Sequence, residues 1–292
     1  MTHDTDDHPV EILTSADGEH VALHDFGGDG PNVLFGHGNG LNAGMWAAIT
    51  PLLADRFHCY GIDLRGHGRS RPVNGNYSVE RDRFGQDVIA CIESLGAGPA
   101  HYVGHSLGGA SAIFGALQRP ELFRSLWLFE PVVVPDSFDH PPGGAGFLAK
   151  ASRQRRMEFL SVDDAVERFV SKPPFSGCDP VTVRAYVEVG SYPIDGGIRL
   201  SCEGENEARV YESGEPIDFG RLGQLTMPTV IASGAMTVGG DSLPAQVAPL
   251  VAEALGNCRF EGHDTLSHFG PMEAPSEMAA SIAQHLDAAR AA

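Results

Sequence analysis

A strand-turn-helix junction at Gly104-His105-Ser106-Leu107-Gly108 limits the folds open to this chain more than any other stretch. An apolar strand pattern, His101–Val103, runs into it, and a helical pattern, Leu107–Leu117, leaves it. A serine on so sharp a turn is held in a strained backbone conformation. Its neighbours must be small, because a side chain at either glycine would strike the adjoining strand or helix. Such a turn pushes the Ser106 hydroxyl out of the sheet. It also aims the first free helix amides, beginning at Leu107, at the same space, where they can stabilise a developing oxyanion. Gly109, Ala110 and Ser111 continue the run of small residues and let the helix sit close on the sheet.

The flanking sequence supplies the architecture such a turn needs. Val10–Thr14 and His20–Phe26 flank Asp17-Gly18, a hairpin signal. The strand Asn32–Phe35 leads into Gly36-His37-Gly38-Asn39-Gly40. Helical spacing from Met45 to Leu53 and a strand at Cys59–Ile62 follow. A helix over Val79–Leu95 and a strand at Leu126–Phe129 continue the alternation, which implies crossover connections and a mostly parallel sheet. The rhythm breaks after Glu130-Pro131. Residues 132–225 carry two proline pairs and helical patches such as Ser161–Val170, but no convincing core strand. Alternation resumes with a strand at Thr229–Ala232, a helix over Ala245–Leu255 and a strand at Arg259–Glu261. A final helix has Met278, Ile282 and Leu286 on one face. The expected organisation is an α/β core in two parts, 1–131 and 226–292, interrupted by a helical insertion of roughly ninety residues, the size of a small domain.

Composition narrows the partners. Of 292 residues, 42% are hydrophobic and 20% charged, enough to bury a core. With 20 basic against 38 acidic residues the formal charge is −18, a field that repels phosphate backbones and argues against nucleic acid. No apolar run approaches the roughly 20 residues that span a bilayer. The acidic, polar stretch Met1–Val10 does not read as a secretory signal, and the five cysteines form no CxxC pair. Both point to reduced thiols and a cytoplasmic chain. The 13 histidines show no HxH or HExxH spacing, and no GxGxxG follows the first strand, so neither metal nor dinucleotide is expected and no cofactor is implied. Arg153, Arg155 and Arg156 read as a solvated helix face, the alternative being a receiver of an anionic substrate over the cap. The partner expected is a small-molecule substrate.

Taken together, His37-Gly38-Asn39-Gly40, Asp63-Leu64-Arg65-Gly66-His67-Gly68-Arg69-Ser70, Gly104–Gly109 and His268-Phe269-Gly270-Pro271-Met272-Glu273-Ala274-Pro275 resemble the α/β-hydrolase fold family. Within it, the chain is similar to bacterial serine hydrolases with a helical cap. The resemblance implies a mostly parallel sheet flanked by helices with an inserted cap, and it makes the 63–70 stretch a structural loop without a catalytic role for Asp63, Arg65 or His67. A serine hydroxyl is a poor nucleophile until a base takes its proton. His263 and His268 both follow the last strand, where the family places that base, and the sequence after His268 fits the family pattern better. The oxyanion donors implied are the backbone amides of Asn39 and Leu107.

The acid that orients the base has two candidates. The commonest family position, three residues beyond Gly234, is Thr237, which cannot serve; Asp241 lies further along the same loop. Glu130 directly follows the apolar strand Leu126–Phe129, the other family location, and is favoured. The expected triad is therefore Ser106, His268 and Glu130, with Asp241 the alternative. The expected reaction is hydrolysis of small carboxylic esters, lactones or thioesters through an acyl-enzyme. Other serine-dependent chemistry (carbon–carbon bond hydrolysis, acyl transfer, perhydrolysis) and a catalytically silent ligand receptor are the competing readings. Dehalogenases and epoxide hydrolases use an aspartate where this chain has Ser106, and the dehalogenases' halide-binding tryptophan is replaced by Leu107.

Overall fold

A computed structural model describes residues 9–72, 77–135, 138, 144–214, 217–235 and 243–291. The chain opens with the hairpin β1 (Val10–Thr14) and β2 (His20–Gly27), then β3 (Asn32–Gly36) and β4 (His58–Asp63). Helix α1 (Arg81–Ser94), strand β5 (Ala100–His105), helix α2 (Leu107–Gln118) and strand β6 (Phe123–Phe129) follow. After β6 come α3 (Gly144–Gln154), β7 (Glu158–Phe159), α4 (Val162–Val170), α5 (Pro180–Val189), β8 (Ser191–Ile194), β9 (Gly197–Leu200) and α6 (Gly204–Glu212). The chain ends with β10 (Thr229–Gly234), α7 (Leu243–Ala254), β11 (Cys258–His263), α8 (Gly270–Glu273) and α9 (Pro275–Ala291).

Among the described residues, the main sheet has eight strands in the order β1-β2-β4-β3-β5-β6-β10-β11. β2 pairs antiparallel with β1 and β4, and every pairing from β4 to β11 is parallel. The central strands read as unbroken apolar runs because both faces are covered, and β5 is buried along its whole length. One face carries α1, α2 and α7, packed through Phe84, Val88, Ile113 and Val247. The other carries α9, whose Met278, Ile282 and Leu286 are fully buried, with Met45, Trp46 and the inserted residues Phe159 and Tyr186.

Two local expectations change. The 45–53 stretch forms short 3-10 turns at Ala43–Trp46 and Thr50–Leu52 rather than an α-helix. Pro51 has no amide to donate, and the Met45 and Ala47 amides bond three residues back, to Asn42 and Gly44. Among its described residues the inserted segment adds no strand to the main sheet, but besides its helices it holds a separate antiparallel sheet, β7-β9-β8, of strands two to four residues long.

Candidate active site

The turn between β5 and α2 is drawn tight by the absence of side chains. A methyl group on Gly104 would stand 2.8 Å from Gly109 Cα, and one on Gly108 would stand 2.3 Å from the Gly36 carbonyl carbon. The start of α2 therefore lies directly on β3, sealed by the Gly108 amide donating to His37 O at 2.8 Å. Ser106 takes φ 52° and ψ −113°. Glu130, at the end of the neighbouring strand β6, has φ 45°. They are the non-glycine residues with positive φ among those described. Conformations of this kind cost about 1–3 kcal/mol each and persist where the surroundings over-determine them. The strands supply that hold: Ser106 N–H donates to Phe129 O at 3.0 Å, and Glu130 N–H donates to Ala232 O at 2.9 Å.

Register explains where the Glu130 side chain goes. β6 pairs β10 with Phe129 beside Ala232, so Glu130 comes level with Ser233 and Gly234. Its carboxylate is fully buried, and Oε1 accepts from Ser233 Oγ at 3.0 Å and from the Gly234 amide at 2.8 Å. Oε2 lies 2.5 Å from Nδ1 of His268, on the loop between β11 and α8. A buried carboxylate is stable only when paired and hydrogen-bonded, and this one is both. It gives the His268 ring a fixed orientation and a place for the proton on Nδ1, leaving Nε2 as the basic nitrogen.

The His268 loop is tied down at other points. His105 Nε2–H donates to the His268 carbonyl at 2.7 Å, and the two rings stand 4.7 Å apart. Burial, then the neighbouring His268, hold the His105 pKa well below its usual value, so it stays a neutral single donor. Glu273 accepts from both the amide and the hydroxyl of Ser267, at 2.8 and 2.5 Å. The rival His263 ends β11 rather than lying in a loop, with Nδ1 2.7 Å from Glu277, away from Glu130. Asp241 and Thr237 lie outside the described residues.

The turn after β3 stands beside the serine: a methyl on Gly38 would be 3.3 Å from Ser106 Cβ. His37 is wholly buried beneath it, Nδ1 donating to Gly38 O at 2.8 Å and Nε2 accepting the Leu64 amide at 3.0 Å. Burial, then the adjacent His67, lower the His37 pKa to about 3. Leu107 opens α2, where its amide has no intrahelical acceptor. Ser106 and Leu107 are buried but not sealed, at 8% and 3% exposure.

Of the arginine cluster, Arg153 and Arg156 lie at the surface, ion-paired to Glu205 and Glu212 and to Asp164. Arg155 departs from the expected solvated face: it turns inward and pairs with the largely buried Glu207 at 2.6 Å. Asp63, Arg65 and His67 are buried, Asp63 receiving the Ala43 amide and the His24 ring, both at 2.7 Å. The five cysteines are all free. Among the described residues no cluster of side chains has the make-up to hold a metal ion. None of their helices is long and apolar enough to cross a membrane.

By architecture this is an α/β-hydrolase-fold protein, and the family model described as the alpha/beta hydrolase fold matches residues 31–162. The crystal structure of an E-2-(acetamidomethylene)succinate hydrolase superposes with a TM-score of 0.78 over 96% of this chain and 99% of that one, at 21% identity. In sequence, the chain is 32% identical over 175 residues to the 2-(acetamidomethylene)succinate hydrolase of Mesorhizobium japonicum, covering 59% of each. It is 35% identical over 145 residues to the pimeloyl-[acyl-carrier protein] methyl ester esterase of Methylococcus capsulatus, covering 49% of this chain and 53% of that one. These alignments thus span little more than half the length of the curated relatives.

Proposed function

We propose that the chain is a serine hydrolase that cleaves small carboxylic esters through an acyl-enzyme, with Ser106 as nucleophile, His268 as base and Glu130 as acid. The observation that carries this reading is the fully buried Glu130 carboxylate, held by two core donors and set 2.5 Å from His268 Nδ1 at the strand end beside Ser106. A buried acid so placed fixes the imidazole tautomer and stabilises the imidazolium that forms when Nε2 takes the serine proton. Ser106 Oγ then attacks the ester carbonyl, and the tetrahedral oxyanion is received by the amides of Asn39 and Leu107. The C–O bond to the leaving alcohol breaks as His268 returns the proton to it. Water, deprotonated by the same nitrogen, attacks the acyl-serine; the acyl C–Oγ bond breaks as His268 returns that proton to Ser106 Oγ, releasing the acid.

Two relatives support the reaction class, one named as a methyl ester esterase and one as a hydrolase of a succinate derivative. The inserted segment fits the role of a cap over the site: Phe175 stacks on Tyr186 and meets Phe269, the residue after His268, edge-on at 5.4 Å. The test is hydrolysis of a chain-length series of p-nitrophenyl esters, together with labelling by a fluorophosphonate probe. Turnover, and labelling that disappears in Ser106→Ala, are expected. The absence of both in the natural sequence would favour a silent receptor. Added alcohol or peroxide separates hydrolysis from acyl transfer and perhydrolysis by the product formed.

A further inference from the structure

The oxyanion turn is held from outside the core as well as from within it. Gly40 has φ 76°, and a methyl group there would lie 2.7 Å from the Glu207 carboxyl carbon, so a glycine is what lets α6 approach the turn. Across this contact Asn39 Nδ2–H donates to Glu207 O at 3.0 Å. The Tyr186 hydroxyl, on α5, donates to Gly40 O at 3.2 Å. One residue pair further on, Asn42 Nδ2–H donates to Tyr186 O at 2.9 Å, and a methyl on Gly44 would strike Ala185 O at 2.4 Å. On the core side the turn rests on His67: its Nδ1–H donates to Arg65 O at 2.9 Å, and its Nε2 accepts the Gly40 amide at 3.0 Å. The Asn39 side chain is thereby turned toward α6 and His67, while its backbone amide is the donor the reaction needs.

We propose that Tyr186, with the Asn39 side chain bridging to Glu207 O, positions the oxyanion turn, so that the inserted segment sets transition-state stabilisation as well as covering the substrate. This rests on the serine-hydrolase reading. An oxyanion donor acts only if aimed at the charge that develops in the transition state, and complete loss of one costs about 10²–10³ in turnover. A donor left in place but freed to wander loses part of that. Both tethers act through the backbone of the turn, whose amide is matched to the charge of the transition state, so the loss is expected in kcat rather than KM.

The experiment compares the natural sequence with Tyr186→Phe, which keeps the ring and its stacking on Phe175, and Asn39→Ala, which keeps the backbone amide. The readouts are steady-state hydrolysis of a p-nitrophenyl ester and inhibition by a trifluoromethyl ketone whose serine adduct carries an oxyanion. Expected are falls in kcat of about tenfold for Tyr186→Phe and ten- to hundredfold for Asn39→Ala. KM should stay within about twofold, and ketone affinity should weaken by the factor lost from kcat/KM. Fluorophosphonate labelling in both variants shows that the nucleophile is intact. Wild-type kcat in both variants, or a loss confined to KM with ketone affinity unchanged, would overturn the positioning role while leaving the hydrolase reading in place. Inactivity of the natural sequence toward both ester and fluorophosphonate would defeat the two together.

Discussion

The two halves of the proposed site, the base side around His268 and the oxyanion side at the turn after β3, draw their side-chain supports from the core and the insert in different measure. On the proposed base side the polar supports of the His268 loop come from the core: Glu130 at the end of β6, the Ser233 and Gly234 donors at the end of β10, His105 at the end of β5, and Glu273 in α8. The insert reaches this side through Phe175 against Phe269 and the Asp179 amide donating to Met272 O at 2.7 Å. On the proposed oxyanion side the turn after β3 is held both by the core, through His37 and His67, and by α5 and α6 of the inserted segment. Strand register therefore sets Glu130 and its two donors directly, and the His268 loop is tied to them by side-chain bonds. On the positioning role proposed for Tyr186 and Asn39, the seating of the insert would act on the oxyanion side more than on the base side.

The sharpest way to break the contrast is to weaken each half alone. Glu130→Gln keeps the shape of the base side but removes the charge that holds the imidazolium. It should lower kcat about 10⁴-fold, as an isosteric amide does in the serine-protease template. Asp241→Asn should cost less than tenfold in the same ester assay; the reverse ranking would move the acid to the loop after β10. The tethers of the oxyanion side, worth about tenfold to a hundredfold, rank next.

A core support with no chemical part should register mainly as stability. His105→Phe leaves the His268 carbonyl without its donor, at a cost of about 1–3 kcal/mol. Calorimetry should show a lower Tm, and a variant as stable as the natural protein would mean that the loop does not rely on this bond. Acid should weaken both sides together. Burial is the leading cause that lowers the pKa of His37 to about 3, of His101 and His285 to about 4, and of His105 well below the usual value. In the unfolded chain these rings take up protons near pH 6.5. Between about pH 6.5 and 4 the unfolded state thus binds more protons, and stability falls as the pH falls. A Tm series from pH 7.5 to 4.5 should decline throughout its lower half; a flat series would show that these rings are protonated in the fold.

What could be read from the chain, and what could not, follows the reach of each signal. Apolar periodicity, Gly/Pro breaks and the small residues around Ser106 report local geometry, so the alternation, the β5-turn-α2 junction and the His268 stretch were all legible from neighbours in sequence. Signals missed were those in which a local rule was overridden. Pro51 broke a helical spacing, and Arg155, sharing a basic run with surface arginines, was turned inward by Glu207, a partner remote in sequence.

For the acid, sequence left two carboxylates, since Glu130 and His268 stand 138 residues apart and no local pattern links them. Pairing of β6 with β10 sets Glu130 level with Ser233 and Gly234, the donors that hold it against the His268 ring. The tilt of the insert onto the β3 turn was equally invisible, because a tyrosine on α5 and a backbone carbonyl on α6 carry no motif. Periodicity and turn chemistry decide how each segment folds; which polar groups meet is decided by register and packing, which exist only once the layers have closed on one another.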